Sequence, residues 1–340
     1  MATRGTHPAE GAPRGTVGHI PVLLPSTLNA LAPRPQATYI DATFGAGGHS
    51  EAILAAAPGA RVLAIDRDPA ATALAEAIAA RQGGRLQLAL SRFSALEAIV
   101  ARAGLTGVDG VLLDLGVSSM QLDAPERGFS FLRDGPLDMR MSAHGPTAAD
   151  VVNTATEGRI AEILLRLGEE RRARAIARRI VAERVRRPLA RTLELANLVA
   201  RVLGREKIAG RHAATRTFQA LRMYVNDELG ELRSTLSAAE RVLAPGGRLV
   251  VITFHSLEDR IVKHFLRRRA AEDHGSRHLP PRPSRYRPSF TFVNPGPVSP
   301  QPQEIAANPR ARSAKLRAAE RTDAPAWPED DHADEWPHLG

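Results

Sequence analysis

The residues best suited to chemistry sit in three short stretches, each behind an apolar run. The first is Asp41-Ala-Thr-Phe-Gly45-Ala-Gly47-Gly48-His49-Ser50. Glycines at that point let a backbone approach a ligand closely, and a helix opening there presents unpaired N–H groups. A tight strand-to-helix turn with no ligand accounts for the same glycines. The dinucleotide pattern G-x-G-x-x-G is met only in part, because Ser50 stands at the third glycine position. The second stretch ends at Asp66, where an acidic side chain accepts hydrogen bonds from ribose hydroxyls or caps the helix that opens at Pro69. The third is Asp114-Leu-Gly-Val-Ser118-Ser119-Met-Gln121.

Together the glycine loop and Asp66 imply a nucleoside-containing ligand. Asp41, just before the loop, would repel a pyrophosphate and suits a ligand with a cationic amino acid end. S-adenosylmethionine has that shape: adenosine, a sulfonium and an ammonium, without phosphate. Leu243-Ala-Pro-Gly-Gly-Arg-Leu-Val before a late apolar run fits the same reading. Asp114 then faces the transferred group. An acceptor on an exocyclic amine localises its lone pair and takes the proton. Amino-group methyltransferases carry (D/N/S)-P-P-(Y/F) here, and Asp114-Leu-Gly-Val lacks both prolines and the aromatic. Ser118 and Ser119 either orient a base edge or make ordinary turn hydrogen bonds. A nucleotide-dependent dehydrogenase and a non-enzymatic RNA-binding factor remain as competing readings of the same residues.

The elements that position these residues follow from periodicity. Apolar runs at 38–43, 60–68, 85–90 and 108–116 read as buried strands, separated by helical patterns at 49–58, 69–81 and 94–104. That alternation means right-handed βαβ units and a parallel sheet. From about 120 to 225 only helical patterns appear, among them 159–168, 171–185 and 192–204. A helix near 227–243, a strand at 246–255, a helix at 256–269 and a closing strand at 313–321 restore the sheet. The expected fold is α/β, Rossmann-like and mostly parallel, with an inserted helical domain. Residues 19–120 and 226–321 form the sheet domain and 121–225 the insertion, a substrate-recognition domain. Residues 1–18 and 322–340 are expected to be disordered, and the Pro-rich 271–303 to be loop or disordered.

Charge is blocked along the chain rather than scattered. Of 340 residues, 46 are Lys or Arg and 37 Asp or Glu, a net charge of +9. Residues 158–217 hold 16 basic and 6 acidic residues, and 259–321 hold 14 and 5. The stretch 322–340 holds 6 acidic residues and no basic one. Such blocks suit a polyanion such as nucleic acid. With no cysteine, a disulfide scaffold, a thiolate metal site and a cysteine nucleophile are excluded. No run reaches the roughly 18 apolar residues of a membrane span, and no signal peptide is evident, so a cytoplasmic protein is expected. No histidine has a second ligand at recognisable metal spacing, so no metal is expected.

The chain resembles a known family. The stretches that carry the likeness include His19-Ile-Pro-Val-Leu-Leu, Tyr39 through Ser50, Ala64-Ile-Asp-Arg-Asp-Pro and Leu113-Asp-Leu-Gly-Val-Ser-Ser. They continue with Glu126-Arg-Gly-Phe-Ser-Phe, Gly135-Pro-Leu-Asp-Met-Arg-Met, Gly168-Glu-Glu-Arg and Thr215-Arg-Thr-Phe-Gln-Ala. The last two are Phe254-His-Ser-Leu-Glu-Asp-Arg-Ile-Val-Lys and Asn308-Pro-Arg-Ala-Arg-Ser. Across about 18–322 the chain resembles the bacterial ribosomal RNA small-subunit methyltransferase H family, of MraW type. Met120 and Ala213 stand where the family usually has proline.

That resemblance implies a class I S-adenosylmethionine-dependent methyltransferase acting on the N4 amine of a cytidine in 16S rRNA. It implies that Gly47, Gly48, His49, Asp66, Phe93, Asp114 and Gln121 line the cofactor site. Asp114 and Ser118 are the candidate catalytic residues. Phe93 packs on adenine or serves the core, and His49 contacts the methionine end. Ser119, Arg140, Arg171, Arg172, Arg216 and His255 are candidate RNA contacts, with helix capping the favoured reading of His255. Ser256 with Asp259 reads as that helix's capping box. The absence of cysteine disfavours attack through cytosine C5, which generally uses a cysteine adduct. The target base must leave its stack to enter the pocket. The partner is the small ribosomal subunit or its RNA, and a homodimer is compatible with the sequence.

Overall fold

A computed structural model describes residues 21–204, 207–208, 211–270 and 286–328. The expectations for 1–18, for 271–285 and for 329–340 therefore fall outside the described residues. The first half alternates as expected: α1 Leu24–Leu31, β1 Thr38–Asp41, α2 Gly48–Ala56, β2 Arg61–Asp66, α3 Ala71–Arg81, β3 Leu86–Leu90, α4 Leu96–Arg102 and β4 Val108–Asp114. Helices then follow without a sheet strand: α5 Ser119–Asp123, α6 Ala148–Thr154, α7 Glu157–Arg166, α8 Ala173–Arg184 and α9 Thr192–Leu203. A two-stranded ribbon of β5 Lys207–Ile208 and β6 Arg211–His212 precedes α10 Thr215–Asn226. The chain closes with α11 Glu228–Val242, β7 Leu243–Thr253, α12 Ser256–Ala270, β8 Phe290–Phe292, α13 Pro302–Ala307 and β9 Lys315–Arg321.

Seven strands form one sheet in the order β3-β2-β1-β4-β7-β9-β8. The pairings from β3 to β7 are parallel, and β9 lies antiparallel between β7 and β8. Alternate side chains point to opposite faces. Ile40, Leu63, Ile65, Val111, Leu113 and Val251 pack on one face with α4, α11 and α12. Tyr39, Val62, Ala64, Leu112, Val250 and Ile252 pack on the other with α1, α2 and α3. Burial on both faces explains why these strands read as continuous apolar runs. At the β1–β4 junction Tyr39 lies opposite Gly110. A Cβ on Gly110 would stand 2.7 Å from Leu31 and 2.8 Å from Tyr39, so glycine lets α1 seat on the sheet.

The helices between β4 and β7 build a core of their own. Ile160 and Leu164 of α7, Ile176 and Ile180 of α8, Leu195 of α9 and Leu221 of α10 are fully buried together. Local signals set these helices. Thr147 and Asp150 form a capping box at the start of α6, and the Thr156 hydroxyl accepts the Arg159 N–H at the start of α7. The last of them, α10, runs directly into α11 through Asp227, so this group of helices is tied back to the sheet.

Two sequence expectations need correction. Within 271–303, residues Phe290–Phe292 form a strand paired with β9 rather than loop. Residues 322–328 are docked on the fold rather than free. The Trp327 N–H donates to Glu240 Oε1 at 3.0 Å, and its ring N–H donates to the Arg287 carbonyl. The anchor is a buried ion pair, Arg269 Nε on Glu240 Oε2 at 2.5 Å, with both side chains only 1% exposed. Ser289 Oγ donates to the other Glu240 oxygen at 2.6 Å, and the Arg269 guanidinium lies 3.9 Å above the Phe265 ring. Removing one partner strands a buried charge. Arg269→Met should therefore lower the unfolding free energy by about 3–5 kcal/mol in urea titration. A loss below about 1 kcal/mol, the range of exposed pairs, would show that the pair does not hold this edge.

Candidate active site

β1 and β4 are neighbours whose following connections leave to opposite sides, which opens a crevice beyond their carboxyl ends. A cleft of about 350 Å³ occupies that position. Its walls include Gly48, His49, Asp66, Phe93, Asp114 and Gln121, along with Ser118 and Ser119. Sequence reasoning thus named residues that the fold brings together from four separate segments.

The glycine loop owes its shape to backbone requirements. Gly47 has φ +81° and precedes the first residue of α2. A Cβ there would stand 2.4 Å from Ile78, and one on Gly48 would stand 2.4 Å from Pro21. Asp41 does not face the cleft, which corrects the expectation that it meets a cationic ligand. It is 1% exposed, accepts the Ser50 hydroxyl at 2.7 Å, and ties the end of β1 to the first turn of α2. Burial pushes its carboxyl up to about 6, against the hydrogen bonds from Ser50 and Thr43. Ser50 therefore replaces the third glycine with a structural hydrogen bond.

Asp66 reaches the cleft. Its Oδ2 accepts the Gly45 N–H and its Oδ1 the Asp68 N–H, both at 2.8 Å. Burial raises it to about 6 against those two bonds. The capping job at α3 falls to Asp68 instead, whose Oδ1 accepts the Ala70 N–H at 3.1 Å. Asp68 Oδ2 accepts from Gln121 Nε2 and Arg127 Nη1, each at 2.8 Å, linking the ends of β2 and β4. Gln121 and Ser118 cap α5 reciprocally: Ser118 N–H donates to Gln121 Oε1 at 3.0 Å and Gln121 N–H to Ser118 Oγ at 3.2 Å. The turn role weighed for Ser118 is thus present in the geometry.

Asp114 is held differently. Its N–H donates to Thr43 Oγ1 at 2.6 Å, and its Oδ2 lies 3.6 Å from His49 Nδ1. The other oxygen, Oδ1, is buried and has no hydrogen-bond partner in the protein. Burial drives the carboxyl up to about 6, with His49 opposing and Asp41 and Glu258 reinforcing. His49 Nε2 lies 3.1 Å from the Val22 carbonyl, so that nitrogen carries a hydrogen and Nδ1 faces the carboxylate.

The remaining candidates lie outside the cleft walls. Arg140 is forked onto Asp138 at 2.8 and 2.7 Å, and Arg216 donates to the Glu169 carbonyl at 3.1 Å. Arg171 and Arg172 are exposed at the start of α8. His255 Nδ1 accepts the Glu258 N–H at 3.4 Å, which is the helix-capping role. The expected Ser256–Asp259 box does not form. Asp259 instead pairs with Arg317 and Lys315, and Glu258 accepts the Phe254 N–H. Among the described residues, Glu228, His255 and Glu258 share the types and proximity of a metal site. Arg222 already forks onto Glu228 at 2.7 and 2.8 Å and matches its charge. Sequence reasoning missed several cleft residues, among them Arg67, Arg222, Phe254 and Arg310. Each lies inside a quoted motif or beside one, but its approach to the cleft depends on tertiary contacts.

These residues fit S-adenosylmethionine. Gly48 is among the cleft walls and Gly47 is not, Asp66 brings a carboxylate to the cleft, and Asp114 keeps an acceptor oxygen without a partner. Fold and site together define a class I S-adenosylmethionine-dependent methyltransferase. The model of the MraW methylase family matches residues 16–322, and the chain belongs to that family. It is 57% identical over 321 residues to the ribosomal RNA small subunit methyltransferase H of Bradyrhizobium diazoefficiens, covering 94% of this chain and 96% of the relative. It is 58% identical over 310 residues to the protein of the same name from a Methylobacterium species, covering 91% and 92%. Among solved structures, an rRNA methylase from Streptococcus thermophilus aligns over 90% of this chain and all of that one, at 11% identity and a TM-score of 0.40.

A carboxylate whose folded pKa lies above its ordinary value is penalised once it ionises in the fold. The penalty is present above about pH 6 for Asp114 and fades as pH falls toward its ordinary 3.8. Asp114→Asn should therefore raise the unfolding free energy at pH 8 by about 2 kcal/mol, an advantage that shrinks toward pH 4. Urea unfolding at both pH values reads this. An equal or destabilising effect at pH 8 would contradict the strained carboxylate.

Proposed function

We propose that the chain methylates the exocyclic N4 amine of a cytidine in small-subunit (16S) ribosomal RNA. The observation that carries this reading is the buried, unpartnered Oδ1 of Asp114 at the carboxyl end of β4, beside the cofactor crevice. The names of the relatives support RNA of the small subunit as the substrate class. The lack of cysteine supports amine rather than C5 chemistry.

When bound, S-adenosylmethionine supplies an electrophilic methyl group on its sulfonium. The chain's residues do the rest. Gly47 and Gly48 admit its methionine end beside His49, and Asp66 accepts from its ribose hydroxyls. Phe93 packs against the adenine. Asp114 Oδ1 accepts one N–H of the cytosine amine, which localises the nitrogen lone pair, and takes the proton as the new N–C bond forms. His49 packs against the other oxygen through Nδ1 and fixes the orientation of the carboxylate. Ser118 holds the loop through its capping box. The cytidine enters the cleft out of its stack, because its amine cannot reach Asp114 from within a helix. Residues 121–225 act as the recognition domain, and Arg140, Arg171, Arg172 and Arg216 hold phosphates outside the cleft.

Three outcomes follow. Transfer of labelled methyl to small subunits from cells lacking this protein should show an acid limb near pH 6, because Asp114 must be ionised to accept the proton. Asp114→Asn should lower the transfer rate at pH 8 by about 100-fold or more. Retention of transfer within about tenfold would remove Asp114 from the acceptor role. RNA affinity should fall linearly on a log–log plot against salt, and a flat response would remove the basic helices as the contact surface.

A further inference from the structure

We propose that Arg310 is a phosphate ligand for the nucleotide entering the cleft, held in reserve by Ser119 and Asp123 until RNA displaces them. The inference rests on the reading of RNA as substrate and adds a binding group to it. Three arginines line the cleft: Arg67, Arg222 and Arg310. Two are held by shielded partners. Arg67 donates to the Asn226 carbonyl at 2.9 Å, and Arg222 is forked onto Glu228, a side chain 9% exposed.

Arg310 is different. Its Nη1 donates to Ser119 Oγ and its Nη2 to Asp123 Oδ1 at 2.8 Å. Arg310 is 44% exposed and Asp123 61%. An exposed pair of this kind is weak and screened by salt, so its partners exchange readily. The guanidinium fork that now reaches a hydroxyl and one carboxylate oxygen matches two oxygens of a phosphodiester equally well.

The backbone beneath Arg310 is fixed, so the side chain swings from a defined point. Asn308 Oδ1 accepts the Arg310 N–H at 3.2 Å, and Ala311 is fully buried. Six residues earlier, Glu304 Oε1 accepts the Leu23 N–H at 2.6 Å and ties α13 to the entrance of α1. The partners of Arg310 belong to α5, which Ser118 caps and which follows the Asp114 loop directly. A phosphate taken by Arg310 therefore lies at the rim of the crevice that holds Asp114, as the backbone of a splayed nucleotide must. Arg310 lies 191 residues along the chain from Ser119, and both line the cleft.

Methyl transfer to small subunits from cells lacking the protein, with direct RNA filter binding in parallel, tests this. Arg310→Ala should raise KM about tenfold, change kcat by less than about twofold, and make the salt slope of binding shallower by about one. Arg310→Lys should restore part of the KM. Asp123→Ala should lower KM or leave it unchanged, since it removes a competitor for the guanidinium. If Asp123→Ala raises KM as Arg310→Ala does, the pair is a structural latch and the proposal is overturned. An unchanged salt slope in Arg310→Ala overturns it as well. Failure of the wild-type chain to bind or methylate small-subunit RNA would instead overturn the RNA reading on which it rests.

Discussion

Three carboxylates, Asp41, Asp66 and Asp114, end three adjacent strands of one sheet, and each is pushed up to about 6 by burial. Packing three acidic groups into one poorly solvated edge is costly unless each finds donors. The local structure reads as the set of answers to that constraint. Asp41 takes the Ser50 hydroxyl and so fixes where α2 begins. Asp66 takes two backbone N–H groups and so fixes the curl of the glycine loop at Gly45. Asp114 takes neither for its Oδ1, and has only His49 near its Oδ2. Asp114 is thus the one of the three whose carboxylate takes no hydrogen bond; its Oδ1 is buried without a partner, and the residue lines the cleft.

The sheet makes this arrangement rigid. Apolar side chains cover both faces, so the strand ends cannot shift independently of two packed layers. Cross-links then join the loops. Asp68 ties Gln121 and Arg127 to the end of β2, and Thr43 holds the Asp114 backbone. Preorganisation of this kind places an acceptor before the substrate arrives, which is where electrostatic stabilisation is most effective. The helices between β4 and β7 have their own apolar core, which leaves their outer faces available for charge.

Much of this was legible in the sequence because it depends on short-range pattern. The parallel strands are buried on both faces, so 38–43, 60–68 and 108–116 stand out as apolar runs. Gly47 and Gly48 were legible because backbone geometry there excludes a Cβ. Side-chain direction was not legible. Asp41 follows the strand alternation into the interior, so its carboxylate serves Ser50 rather than a ligand. The capping box of α12 was misassigned because Asp259 has Arg317 and Lys315, 58 and 56 residues away, as partners. Residues 322–328 read as an acidic tail, and the aromatic and backbone contacts of Trp327 with Arg287 and Glu240 outweigh that composition. Arg310 was visible only as part of a motif, since its partner Ser119 lies 191 residues earlier.

The central claim is that the unpartnered oxygen of Asp114 accepts a proton from a cytosine amine. Mass spectrometry of nucleosides from small-subunit RNA of cells lacking this protein, with and without the chain restored, tests it most directly. The account predicts that N4-methylated cytidine is lost without the protein, returns with the wild-type chain, and does not return with Asp114→Asn. An unchanged N4-methylcytidine content in the cells lacking it, or full restoration by Asp114→Asn, would contradict the account.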